Sequence, residues 1–204
     1  MAEQENLRAQ LTGIGADLVE PAFDTLIASE ILKEIPVLGI GARIASAAGT
    51  IRDRIFAAKL LRFLEALGDV DGADVREMRY RLKKDPELRD RVGSTVMVII
   101  ERLDEVEKAR MIAKAFRAYL SNRIDLPQFR RIGLAVNTAF LDDLQAFASL
   151  PTTKNLGESS LAQFLISAGL TEQAQTGFQM GDFTSLSITV SSLGELFWHL
   201  MRDS

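Results

Sequence analysis

Apolar residues recur every three or four positions through most of residues 5–150, the spacing that gathers one face of an α-helix. Start signals precede these stripes. "TIRD" (Thr50 to Asp53) has the form of a capping box, and the stripe Phe56, Leu60, Phe63, Leu64 and Leu67 follows it. "GDVDGAD" breaks that helix, and "DVRE" (Asp74 to Glu77) opens another with Val75, Met78 and Leu82 inward. At 85–87, "DPE" sets proline in the first helical turn behind an aspartate able to accept backbone N–H bonds. Leu88, Val92, Val96, Ile99, Ile100 and Leu103 then continue at helical intervals, so the β-branched run "STVMVII" (94–100) reads as helix despite its strand-like composition. "DEVEKARMIAKAFRAYL" reads as a further capped helix, its inner face formed by Ile112, Phe116, Tyr119 and Leu120. "DLPQ" (Asp125 to Gln128) starts a last long helix, with Phe129, Ile132, Val136, Phe140, Leu144 and Phe147 on its buried side and Pro151 beyond its end.

The pattern changes after the turn-rich linker "PTTKNLGESS" (151–160). "LAQFLISAGL" is a short helix stopped by Gly169, a natural left-handed cap. "TGFQMGDFTSLSITV" alternates with period two, placing Leu186, Ile188 and Val190 on one face, and Gly181-Asp182 suits its hairpin turn. "SLGE" (Ser192 to Glu195) caps a final helix carrying Leu193, Leu196, Phe197 and Leu200. The expected fold is mainly α: a multi-helix bundle over residues 1–150, with a small α+β subdomain over 151–204. The helix–hairpin–helix order of that subdomain resembles part of a winged-helix module.

The least ordinary stretch is "EIPVLGIGARIASAAGTIRDR" (34–54). It lacks the third glycine of a dinucleotide fingerprint and the lysine of a phosphate-binding loop. The apolar run from Ile35 to Ile51 is shorter than the roughly 20 residues a bilayer span needs, and Arg43 interrupts it. Gly41, Ala45 and Gly49 recur at spacing four, a small-residue seam along which a second helix can approach closely. The same seam suits packing within the chain's own core or contact with a membrane surface.

Composition is that of a folded protein, with 47% apolar and 25% charged residues. The absence of cysteine removes disulfides, thiolate metal sites and thiol nucleophiles, and fits a reducing compartment. The first residues show no basic region followed by an apolar core, so no secretory signal is read. The net charge of -4 hides a segregation. Residues 51–133 hold 19 Lys/Arg against 14 Asp/Glu, whereas residues 134–204 hold 2 against 7. Interleaved acids in the basic middle read as i,i+4 ion pairs on helix surfaces. "GDVDGADVRE" fails the calcium-loop pattern, since an EF-hand starting at Asp69 has Asp74 and Tyr80 where Gly and Glu are required. His199, the single histidine, reads as an amphipathic-helix residue, and no G-x-S-x-G elbow accompanies it. The acidic tail disfavours DNA binding by the winged-helix-like end. Arg76, Arg79, Arg81, Lys83 and Lys84 have only Tyr80 among them as a stacking aromatic, so single strands are not favoured either.

At "IPVLG", "IRDRIFAAKLLRFL" and "KAFRAYLSNRIDLPQFRRI", and again at "LISAGL" (165–170) and "SSLGELF" (191–197), the chain resembles a group of small uncharacterised bacterial helical proteins. Their pattern runs IPxxG, then IRDRxFxxKLxxFL, then a helical hairpin and a winged-helix-like C-terminal segment. The resemblance spans most of residues 31–200. It implies a bacterial origin and a helical body with a winged-helix-like end, and it brings no catalytic set; a context of phage defence or stress response is suggested only by association with other compact bacterial proteins. The sequence therefore reads as a non-enzymatic interaction protein without cofactor or metal. Its expected contact residues are Gly41, Arg43, Ala45, Gly49, Arg52, Arg54, Lys59 and Arg62. Expected partners are another protein, a second copy, or an anionic membrane met peripherally from the cytoplasm, with nucleic acid disfavoured. The competing readings are an enzyme using carboxylate chemistry and a regulator binding nucleic acid through the basic middle.

Overall fold

The computed structural model describes residues 50–68, 73–153, 156, 159–176 and 185–202. Among them the chain runs α1 (Ile51–Leu67), α2 (Ala73–Lys84), α3 (Pro86–Arg102), α4 (Lys108–Leu120), α5 (Leu126–Thr138), α6 (Leu141–Ala148), α7 (Ser160–Phe164), β1 (Thr171–Thr176), β2 (Ser185–Val190) and α8 (Ser192–Arg202). The chain is mainly helical with a small two-stranded antiparallel sheet near its C-terminus. The seam residues Gly41, Arg43, Ala45 and Gly49, the 69–72 loop and the Gly181-Asp182 turn lie outside the described residues.

The local signals set the helix starts. Thr50 and Asp53 form the reciprocal capping box of α1, with Asp53 N–H donating to Thr50 Oγ1 at 3.2 Å. Asp85 Oδ1 accepts from Leu88 N–H at 2.9 Å ahead of Pro86, and "STVMVII" lies inside α3. Asp125 and Gln128 form a second capping box, with bonds of 2.7 and 2.8 Å. Each such cap contributes about 1 kcal/mol.

Helix α4 is the hub, packed against α1, α2, α5 and α8. Phe116 at its centre meets Phe63 of α1 at a ring separation of 5.7 Å and Phe129 of α5 at 5.6 Å, while Tyr119 closes the group at 6.1 Å from Phe129. Such tilted and offset pairs add roughly 0.5–1.5 kcal/mol each beyond their burial. A single cluster of buried apolar residues continues from this group through Leu144 and Phe147 to Leu165, Leu170, Phe197 and Leu200. The helical part and the C-terminal part, separate in sequence pattern, thus share one core.

Four local expectations are corrected. The long helix after Asp125 is two helices: Ala139 and Phe140 have extended ψ angles of 153° and 148°, and Phe140 is 73% exposed instead of buried. The break is held by Lys108, fully buried, whose ammonium donates to Ala139 O at 2.6 Å and to Asp104 at 2.7 Å. The helix expected to begin at "DEVE" starts only at Lys108, because Asp104 is engaged with that ammonium and residues 104–107 form a turn. The first strand already begins at Thr171 and runs through Thr176, the first residue of "TGFQM", in a register from Thr171↔Val190 to Thr176↔Ser185, while residues 177–184 lie outside the described residues. Its polar sequence carries no alternating signal, and Thr171 is fixed from outside the sheet by its hydroxyl donating to Ala162 O at 2.7 Å. Finally, the cap of α8 is Ser191, not the Ser192 box: its Oγ accepts from Gly194 N–H at 3.0 Å and donates to Gly169 O at 2.6 Å.

Gly169 takes the expected left-handed conformation, with φ +71°, but it does not stop α7: that helix already ends at Phe164, and Gly169 closes the turns over 165–169 that follow it. The 6→1 bond from Leu170 N–H to Leu165 O (3.1 Å) and the bond from Gly169 N–H to Ile166 O (2.9 Å) complete a Schellman motif. That motif delivers Leu170 against Gly194, where a Cβ would stand 2.0 Å from Leu170 O. Glycine there lets α8 close onto the sheet.

Candidate functional site

The basic side chains singled out at the start of α1 meet different fates. Arg52 is exposed and paired with Glu101 at 2.9 Å, and Arg54 is exposed. Arg62 bridges Glu107 at 2.5 Å and Glu65 at 3.1 Å. Its partial burial opposes the charge, but the bond to Glu107 and the fields of Glu107 and Glu65 outweigh this and raise its pKa. Lys59 is nearly withdrawn from the surface, only 7% exposed at the edge of a groove. It is buried, and its ammonium donates to Glu101 O at 3.2 Å and to Leu103 O at the end of α3. Burial lowers its pKa from the ordinary lysine value, against the attraction of Asp104 and Glu101. Of the expected contact residues, Lys59 is thus engaged by carbonyls of α3, while Arg62 is ion-paired and remains partly exposed.

Lys59 belongs to a wider arrangement that the i,i+4 reading missed. Arg117 of α4 donates to Leu67 O at the end of α1. Lys108 serves Ala139 O at the end of α5, and Lys114 serves Met201 O at the end of α8 at 2.7 Å. Four cations therefore cap the C-termini of four other helices, where unsatisfied carbonyls and the negative dipole end both favour a donor. Four of the 19 Lys and Arg residues of the basic sector are engaged in this way. Among the described residues Lys108–Asp104 is an i,i+4 ion pair, while Arg52–Glu101 and Arg62–Glu107 join different parts of the chain.

Two surface grooves flank α3. One, about 660 Å³, lies between the start of α1 and the later turns of α3, lined by Ile51, Ile55, Phe56, Met97 and Val98. Its charged groups are already engaged: Asp53 in the capping box, Arg52 with Glu101, and Lys59 on carbonyls. The other, about 500 Å³, lies between α3 and α5. Its α3 wall is Arg91, Ser94, Thr95, Val98, Ile99 and Arg102, the i, i+3, i+4, i+7, i+8, i+11 face of one helix. Arg130, Gly133, Leu134 and Asn137 form the α5 wall. Leu134 is 62% exposed and Val98 45% exposed, so the floor is apolar and open to solvent. The helices come together here because Gly133 has no side chain; a Cβ would lie 2.7 Å from Ile99 Cδ1.

The electrostatics of this second groove are one-sided. Among the described residues, no Asp or Glu lines it, and Arg91 and Arg102 make no ion pair. Arg130 donates to Thr95 Oγ1 at 3.1 Å, and that hydroxyl donates to Arg91 O at 2.7 Å. Three guanidinium groups thus rim an apolar floor. Nothing in the sequence pattern marked them, because the pairing of α3 with α5 is a tertiary event. The one local trace is Val98 and Leu134, apolar residues on the polar side of their helices.

Among the described residues, no group of three or more His, Cys, Asp or Glu is placed to hold a metal ion. His199 is exposed, its ring edge-on to Trp198 at 5.0 Å, and Trp198 Nε1 donates to Leu150 O at 3.0 Å. Among the described residues, no helix is long and apolar enough to cross a membrane. No family model, curated protein or solved structure matches the chain, so its reading rests on its own residues.

Proposed function

We propose that this chain is a non-enzymatic interaction protein that receives a partner protein on the face formed by α3 and α5. The observation that carries this reading is the apolar floor of Val98 and Leu134, rimmed by three arginines without a carboxylate in the groove. Exposed apolar surface framed by arginine is what protein interfaces enrich. Site-specific photocrosslinking in the cells that make the protein tests it. A photoreactive residue at Leu134 should give a discrete protein adduct, whereas one at Phe164, also exposed but on α7, should not. No adduct at Leu134, or equal adducts at both positions, counts against the proposal.

An anionic membrane surface is the second reading. Exposed Arg52 and Arg54 alternate with exposed Ile51 and Ile55 at the start of α1, the mixture that peripheral helices present to lipid headgroups. Flotation with phosphatidylglycerol vesicles, lost on Arg52→Glu/Arg54→Glu, would favour it. A gel shift with steep salt dependence would favour the nucleic-acid reading instead.

A further inference from the structure

We infer that the occupant of the α3–α5 groove is a single acidic amphipathic helix about three turns long. This rests on the interaction reading above and adds the chemistry of the partner. The length comes from the wall: Arg91 and Arg102 are eleven residues apart on α3, which at the helical rise places them about 16 Å apart. The charge pattern comes from the Thr95 hydroxyl. It bonds Arg130 at 3.1 Å and the Arg91 carbonyl at 2.7 Å, so Arg130 belongs to the Arg91 end. Two guanidinium groups therefore sit at one end of the floor and one at the other. The matching ligand carries two carboxylates at one end, one carboxylate at the other, and an aliphatic face between them for Val98 and Leu134.

The alternatives fit less of this. A fatty acid has one carboxylate and would leave the far arginine unmatched. An extended peptide needs backbone partners, but the N–H and C=O groups of α3 and α5 are engaged within their own helices, and the described sheet edges are elsewhere. A helix satisfies its own backbone and offers side chains alone, the helix-in-groove mode. A nucleic-acid backbone matches the arginines but has no aliphatic face for the floor.

Selection of a randomised 16-residue peptide library against the full chain tests this directly. Enriched peptides should be helical on binding, with Asp or Glu flanking an i, i+3, i+4, i+7 apolar stripe. Leu134→Glu should weaken a selected peptide by about tenfold or more. Arg102→Ala and Arg130→Ala should each weaken it by about two- to fivefold, with affinity falling as salt rises. All three side chains are exposed, and unchanged circular dichroism would verify the fold of each variant. Enriched peptides without acidic flanks would overturn the acidic-helix inference while leaving the interaction reading intact, whereas binding indifferent to Leu134→Glu would count against both. Arginine-dependent retention on phosphatidylglycerol vesicles without peptide enrichment would make the groove a membrane face. Absence of both would sink the inference and the interaction reading together.

Discussion

Gly194→Ala isolates the contact that joins α8 to the sheet. The added Cβ would lie 2.0 Å from Leu170 O, 2.8 Å from Val190 Cγ1 and 2.9 Å from Leu170 C. A carbon and a carbonyl oxygen need about 3.3 Å, so backbone must move by roughly 1.3 Å. Neither side moves freely. Leu170 O accepts from Ser191 N–H at 3.1 Å, while fully buried Phe197 and the bond from Trp198 to Leu150 O anchor α8. Overpacking of this kind costs about 1–3 kcal/mol and more where the neighbour is backbone. Alanine returns at most about 1 kcal/mol of helix propensity. The expected net loss is about 2–3 kcal/mol, or ~5–10 °C in Tm for a chain of 204 residues. Gly169→Ala is the control: its φ of +71° imposes about 1 kcal/mol of left-handed strain, but its Cβ would meet only Leu193 Cδ2 at 3.9 Å. Urea unfolding followed by far-ultraviolet circular dichroism compares the two. If Gly194→Ala is as stable as the parent, or costs less than Gly169→Ala, the close approach of α8 to Leu170 is refuted.

The break between α5 and α6 predicts that Phe140→Ala changes stability by less than about 0.5 kcal/mol, while Phe147→Ala costs about 3–5 kcal/mol. Equal losses in urea unfolding would restore a continuous helix with Phe140 inside. Lys108→Met keeps much of the buried stem but strips Ala139 O of its donor, and should cost about 1–3 kcal/mol. An unchanged urea midpoint would show that the ammonium does not hold the break. Burial raises the pKa of Tyr119 above the ordinary tyrosine value of 10.0, against the fields of Arg81 and Arg91. The folded chain therefore retains this proton where the unfolded chain loses it. The resulting stability is full below pH 10 and is lost as pH rises through the higher folded value. Tyr119→Phe should flatten that part of the stability profile, and a mutant with the parent's slope above pH 10 would contradict the burial argument.

Most helix starts were legible because their causes are local. Thr50 with Asp53, Asp85 with Pro86, and Asp125 with Gln128 each bond backbone within three residues, so the signal and its effect lie in the same few letters. The left-handed φ of Gly169 was legible for the same reason, although α7 ends earlier, at Phe164, than the apolar pattern suggested. The misplaced elements had distant causes. Phe140 continued a helical stripe, and only Lys108, arriving from another helix, ended it. Strand β1 is polar along its length and exists through its pairing with β2 and the anchoring of Thr171.

For function the same division holds. The letters alone determined a mainly helical chain with a basic middle, an acidic tail and no thiol chemistry. They left Lys59, Arg62, Lys108 and Arg117 indistinguishable from surface cations. Tertiary structure decided which cations met helix ends and which, like Arg91, Arg102 and Arg130, remained around an open apolar floor. The physical reason is that a cap or a stripe is written in the few residues that form it. A charge's partner depends on which helix end the fold brings beside it.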